Sequence, residues 1–155
     1  MKIISKVLLV GLVSLTTTSV FADVAQSEKH AIKATELRQS ILSLVSSNMG
    51  SLGAMAKGQI PVDASVAEKN ALRINQLSLM LEDYFKTDTS GFNVTTEAKS
   101  VIWKEQDQFA TKIEALTSAS SALLVAAQSK DEGAIKKAIG GVGKTCGSCH
   151  DSYRD

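Results

Sequence analysis

Only two cysteines and one proline occur in this chain of 155 residues, and each scarcity narrows what it can be. The cysteines, Cys146 and Cys149, sit side by side near one end, so no disulfide framework staples the rest of the fold. The single proline, Pro61, leaves long stretches free to form regular structure. Neither sign of charge dominates: 17 Lys and Arg face 16 Asp and Glu, for a formal net charge of +1. A near-neutral chain of mixed sign gives no basis for nucleic acid or an anionic membrane as a partner. The apolar run from Val7 to Leu15 is shorter than the about 20 residues that span a bilayer. There is no low-complexity run and no internal repeat. There is also no acid–base pair and no nucleophile with a partner, so enzyme activity is not expected.

What is present is Cys146-Gly147-Ser148-Cys149-His150, a Cys-x-x-Cys-His run. This is the attachment signature of a c-type haem: two thiols add across the porphyrin vinyl groups and the adjacent imidazole binds the iron. On a helix, Cys149 lies about 60° behind Cys146 and His150 about 40° ahead of it, so all three project from one sector toward one flat ligand. Two other chemistries use similar residues. A thioredoxin-like dithiol belongs near a βαβ pattern, which this chain lacks. A structural zinc site wants four ligands, and His30, the other histidine, is far away in sequence.

Residues 1–22 agree with the haem reading. They have a basic start (Lys2, Lys6), the apolar stretch, and Val20 and Ala22 where a signal peptidase reads small side chains. They are expected to be a removed secretory signal of a periplasmic protein, leaving residues 23–155 as one domain.

Hydrophobic periodicity predicts four helices. The first runs from about Val24 to Met49, with Leu37, Ile41, Leu44 and Val45 at three- and four-residue steps. Gly50, Gly53, Gly58 and Pro61 then mark a loop. Asp63 caps a second helix carrying Ile74, Leu77, Leu81, Tyr84 and Phe85. A loop from Thr87 to Asn93 precedes a third helix, which starts near Thr95 or Thr96 and carries Ile102, Phe109, Ile113, Leu116 and Leu123. Asp131 to Gly133 is the last turn.

The fourth helix has the clearest stripe: Ile135, Ile139, Val142, Cys146, Cys149 and Tyr153 form a heptad-like seam. The thiols therefore lie on the buried side. Gly140, Gly141, Gly143 and Gly147 also fall here, each costing about 0.5–1 kcal/mol relative to Ala. Close approach of a macrocycle is one reason for them; a frayed or kinked helix start is the other. Four amphipathic helices with short connections imply an all-α, antiparallel, up-and-down four-helix bundle.

At this point the residues resemble the cytochrome c′ family, the class II c-type cytochromes. The resemblance covers residues 23–155. It rests on Arg38-Gln39-Ser40-Ile41-Leu42, Lys57-Gly58-Gln59-Ile60-Pro61, Ile102-Trp103, and Val142-Gly143 followed by the haem motif with Asp151-x-Tyr153-Arg154. It implies that Cys146 and Cys149 are the thioether cysteines of one haem c and that His150 is the single axial ligand. It further implies that Arg38, beside Gln39, lies near a haem propionate, with an ordinary solvated charge as the alternative. Arg154 would border the proximal pocket, and Leu42 would pack over the distal face.

Leu42 separates two functions. Electron-transfer members of the class carry Met there; leucine has no lone pair and leaves the iron five-coordinate. Met49 lies about 10 Å farther along the helix, Met55 falls in the loop, and Met80 is expected to pack in the second helix. His30 is about 18 Å away and reads as a surface residue. The resemblance thus implies a periplasmic protein that binds nitric oxide and carbon monoxide. The competing reading is an electron carrier with a redox partner of unknown identity. Family members are often homodimers joined through their first two helices.

Overall fold

Ser27 starts the first helix: its side chain accepts from the His30 backbone N–H at 3.2 Å. In the computed structural model, which describes residues 23–155, helix α1 runs Glu28–Ala56. Asp63 opens α2 (Ala64–Phe85) by accepting from the Val66 N–H at 3.0 Å. Asp131 opens α4 (Glu132–Tyr153) by accepting from the Ala134 N–H at 2.6 Å. Such caps contribute about 1 kcal/mol each. Between them, α3 (Gln106–Ser129) follows a 3-10 turn at Ser100–Trp103. The secretory signal expected over 1–22 lies outside the described residues.

Two helix boundaries differ from those the periodicity predicts. The first helix continues through Gly50 and Gly53, because Leu52 (0 % exposed) and Met55 (2 %) gain more from burial than two glycines cost. The real break is at Gly58, whose φ of +70° lies in the left-handed region glycine tolerates. At its other end the helix begins at Glu28, and Asp23–Val24 forms a short strand β1 paired in parallel with β2, Thr87–Asp88. The third helix begins at Gln106 rather than near Thr95, leaving Ile102 on the 3-10 turn. The connector before it is committed elsewhere: Lys99 donates its N–H to the Tyr153 carbonyl at 3.0 Å, and Asp155 donates to Glu97 at 2.9 Å.

The four helices form an up-and-down bundle in which α1/α2, α2/α3 and α3/α4 pack closely, while α1/α4 is the sparsest neighbouring pair. One part of the core gathers Val45, Leu52, Ile74, Leu123, Ile135 and Val142. A second gathers Ile41, Leu81, Phe85, Ile102, Phe109 and Tyr153. Each fully buried aliphatic side chain contributes about 1.5–3 kcal/mol. Ile41 and Val45 point inward as expected, but Leu37 and Leu44 are exposed, as is Met80 on α2, which therefore does not pack in the core. No described helix is long and apolar enough to cross a membrane.

α4 is unbroken from Glu132 to Tyr153, which removes a frayed or kinked start as the reason for its glycines. Beyond the adjoining residues and backbone of α4 itself, nothing lies within 4 Å of a Cβ built at Gly140, Gly141, Gly143 or Gly147, so packing against the other described helices does not explain them either.

Candidate functional site

The α4 seam brings the two cysteines to the joint between the two parts of the core. Ile135, Ile139 and Val142 are buried below them and Tyr153 above, while Cys146 and Cys149 are only half-buried. Cys146 packs against the Val45 and Val142 group, and Cys149 against the Ile41 and Tyr153 group. His150 follows on the last turn and is exposed. No disulfide joins the two thiols. Burial pushes both thiol pKa values up, and at Cys149 the nearby Lys112 ammonium pulls part of the way back. A redox dithiol needs the opposite, a thiolate stabilised near neutral pH. Nor do these residues make a zinc site: among the described residues, no three His, Cys, Asp or Glu side chains converge.

Facing them, α1 presents Thr35, Arg38, Leu42, Val45, Met49 and Leu52 at steps of three and four. Arg38 is 2 % exposed, Val45 7 % and Leu52 0 %, yet Leu42 is 42 % exposed. Its neighbours Ile41 and Val45 belong to the groups touched by Cys149 and Cys146 respectively, so Leu42 stands at the level between the two thiols. A large apolar side chain left open on an otherwise buried stripe, in the least closely packed pair of neighbouring helices, marks a slot for a flat apolar ligand. Two thiols and an imidazole on the opposite helix are the donor set of a c-type haem. The residues fit that group.

Among the described residues, the methionines and His30 lie away from Leu42 or are packed elsewhere. Met49 is half-buried one turn past Val45. Met55, expected in the loop, is buried in the last turn of α1, and Met80 lies on the outer face of α2. His30 is exposed near the start of α1, where its Nδ1 accepts from the Gln26 N–H at 3.3 Å.

Arg38 is not the solvated charge that was one of its two expected roles. Its guanidinium donates to the Thr87 carbonyl (2.9 Å), Thr35 Oγ1 (2.9 Å) and Thr89 Oγ1 (2.7 Å). It also lies 5.5 Å from the Phe85 ring centroid and 5.1 Å from that of Trp103. Burial lowers its pKa and the Asp88 carboxylate partly restores it. Nε is buried without a partner, which leaves a donor for an acceptor from outside the protein, such as a propionate. Gln39, next in sequence, is exposed and donates to the Thr95 carbonyl at 2.9 Å. Arg154, one turn beyond His150, pairs with Glu97 through Nε at 2.6 Å.

Several of these partners carry no sequence signal. Thr35 stands three residues before Arg38, which is helical spacing, but Thr87, Thr89 and Glu97 come from an irregular connector. Tyr153, besides closing the seam, hydrogen-bonds Glu105 at 3.3 Å and meets Phe109 edge-on with centroids 5.2 Å apart. Lys112 on α3 reaches Ser148, inside the haem motif, at 2.6 Å.

Bundle, seam and slot together define a class, the c-type haem proteins built on four helices. The chain belongs to the cytochrome c′ family, whose sequence profile matches residues 33–154. The cytochrome c′ of Cereibacter sphaeroides is 37 % identical over 135 residues, covering 86 % of this chain and 88 % of that protein. A cytochrome c-554 of the same organism is 34 % identical over 132 residues, covering 84 % and 86 %. The crystal structure of cytochrome c′ from Rubrivivax gelatinosus matches with a TM-score of 0.73 at 32 % identity, over 81 % of this chain and 97 % of that one. The nitric oxide complex of a leucine-to-alanine variant of cytochrome c′ from Alcaligenes xylosoxidans matches with a TM-score of 0.72 at 30 % identity, over 81 % and 95 %. The cofactor of this chain is haem c.

Proposed function

We propose that this chain is an exported, periplasmic gas-binding haem protein, and that Leu42 governs access to its open iron face. Cys146 and Cys149 would hold the haem through thioethers and His150 would ligate its iron; the haem would supply a metal able to bind a small molecule. The single observation that carries this reading is Leu42, 42 % exposed on an otherwise buried stripe at the level of the two thiols. Its side chain has no lone pair, so it covers the face without ligating it, and it has no donor for the partial negative charge of bound dioxygen. Nitric oxide and carbon monoxide need only room, which Leu42 gives by turning aside. The nitric oxide complex of the Alcaligenes xylosoxidans relative supports this choice of ligand. Buffering or detoxifying nitric oxide is the role that follows. Binding of the gas, without further chemistry on it, is the activity proposed for this site.

Self-association belongs to the same reading. Leu37 and Leu44 on α1, and Leu72 and Leu79 on α2, are exposed at seven-residue spacing, which sets each pair on one helix face. A second copy docks there.

Absorption spectra of the ferric, ferrous and nitric oxide-treated holoprotein test the proposal. High-spin five-coordinate spectra that change on adding the gas are expected. A six-coordinate, low-spin ferrous spectrum that ignores nitric oxide and carbon monoxide would turn the assignment to an electron carrier.

A further inference from the structure

Lys112 is half-buried on α3, and its ammonium donates to Ser148 Oγ at 2.6 Å in a hydrogen bond on the exposed side of α4. Ser148 lies between the two cysteines of the haem motif, directly before Cys149 and two residues before His150. The lysine is therefore anchored to the backbone segment that would carry the haem. Its charge is also uncompensated. The ion pairs of the described residues are Lys33–Glu36, Lys86–Asp83 and Arg154–Glu97, and Lys112 takes part in none of them. Its field reaches the motif, since it opposes the effect of burial on Cys149.

A lysine without a partner swings freely; one held at 2.6 Å keeps its charge in one place, although on this exposed face water and salt still screen it. When the iron takes one electron from an external one-electron donor, the positive charge at the haem falls by one. A fixed cation nearby favours that state.

We propose that Lys112, locked onto Ser148, is a positioning and electrostatic residue of the haem site that raises the reduction potential of the iron. The proposal rests on attachment of the haem at Cys146, Cys149 and His150. Mediated redox titration of holoprotein carrying Lys112→Arg, Lys112→Gln or Lys112→Glu tests it, with a pyridine haemochrome assay on each sample to show that haem c is attached.

Lys112→Gln is expected to lower the midpoint potential, and Lys112→Glu to lower it about twice as far, because the charge changes by two instead of one. Lys112→Arg is expected to restore it. Ser148→Ala, which keeps the charge but frees it, should give a smaller downward shift that added salt enlarges through screening. Attached haem with a potential that does not follow the charge at position 112 overturns the role of Lys112 alone. Absence of covalent haem from the unaltered protein instead overturns the attachment on which it rests.

Discussion

Trp103 and Arg38 are stacked, with the guanidinium carbon 5.1 Å from the indole centroid, although one residue lies on a 3-10 turn and the other in the middle of the first helix. The indole N–H donates to the Phe85 carbonyl at 2.9 Å, fixing the ring against the end of α2. Phe85 is the second aromatic neighbour of the same guanidinium, at 5.5 Å. One buried cation thus ties α1, the end of α2 and the following connector together.

Truncating it should be costly. Arg38→Ala removes donors from three acceptors and opens space between two rings, and a loss of about 3 kcal/mol or more in urea unfolding is expected. Arg38→Lys should recover little, because a single ammonium cannot reproduce the planar fork. A loss below about 1 kcal/mol for the alanine variant would show that the network is not maintained in solution.

Leu42 should behave differently with and without the cofactor. In apoprotein the side chain is nearly half exposed, so Leu42→Ala is expected to cost only about 0.5 kcal/mol. In holoprotein, where haem covers it, the same change should cost about 2–5 kcal/mol while carbon monoxide associates faster. Leu42→Met should shift the iron toward a low-spin state and slow carbon monoxide binding. Equal costs in the two forms, with unchanged gas kinetics, would move Leu42 away from the iron.

The thiols give a dependence on pH. Burial raises both pKa values above their ordinary range, so the folded apoprotein holds the thiol protons more tightly than the unfolded chain does. The associated stability is present below the ordinary thiol pKa of about 8.5 and is lost as pH rises through the folded values. Unfolding of apoprotein followed from pH 7 to pH 10 should therefore show an alkaline decline that Cys146→Ser with Cys149→Ser reduces. Iodoacetamide should also react more slowly at pH 7 than with a free cysteine peptide. Faster reaction would indicate an activated thiolate and revive a redox role.

The Arg154–Glu97 pair is half exposed on both sides and should contribute little by itself. Glu97→Gln is expected to cost less than about 1 kcal/mol, an effect that shrinks further in 1 M salt. Thermal melts at low and high salt check this. A larger, salt-insensitive loss would mean that the pair carries the connector, rather than the backbone bonds from Lys99 to Tyr153 and from Asp155 to Glu97.

The fourth helix was legible because its seam is regular and its chemistry is local: a period of three and four residues ends in a motif only five residues long. Asp63 was legible for the same reason, since a cap acts three residues away; Asp131 was read as part of the last turn, and the structure makes it the cap of α4. The end of α1 was not. Gly50 and Gly53 read as breakers, and the burial of Leu52 and Met55 that outweighs them depends on partners in α2, α3 and α4. The start of α3 failed in the opposite direction, because residues before Gln106 spend their backbone groups on the end of α4. Arg38 shows the limit most clearly. The sequence supplies the arginine and Thr35 one helical turn before it, but not Thr87, Thr89, Phe85 and Trp103, which tertiary structure alone brings around it.

The connector from Lys86 to Lys99 is gripped from two directions: by Asp23, Ala25 and Arg38 on the α1 side, and by Tyr153 and Asp155 on the α4 side. It therefore acts as a bridge between α1 and α4, the neighbouring helices that touch each other least. A flat ligand entering between α1 and α4 has to part side chains such as Leu42, while the main chains on either side stay moored to a common span. The shared span sets the spacing of the two main chains that face the haem, so the width of the slot is fixed by backbone hydrogen bonds and its lining by side chains such as Leu42.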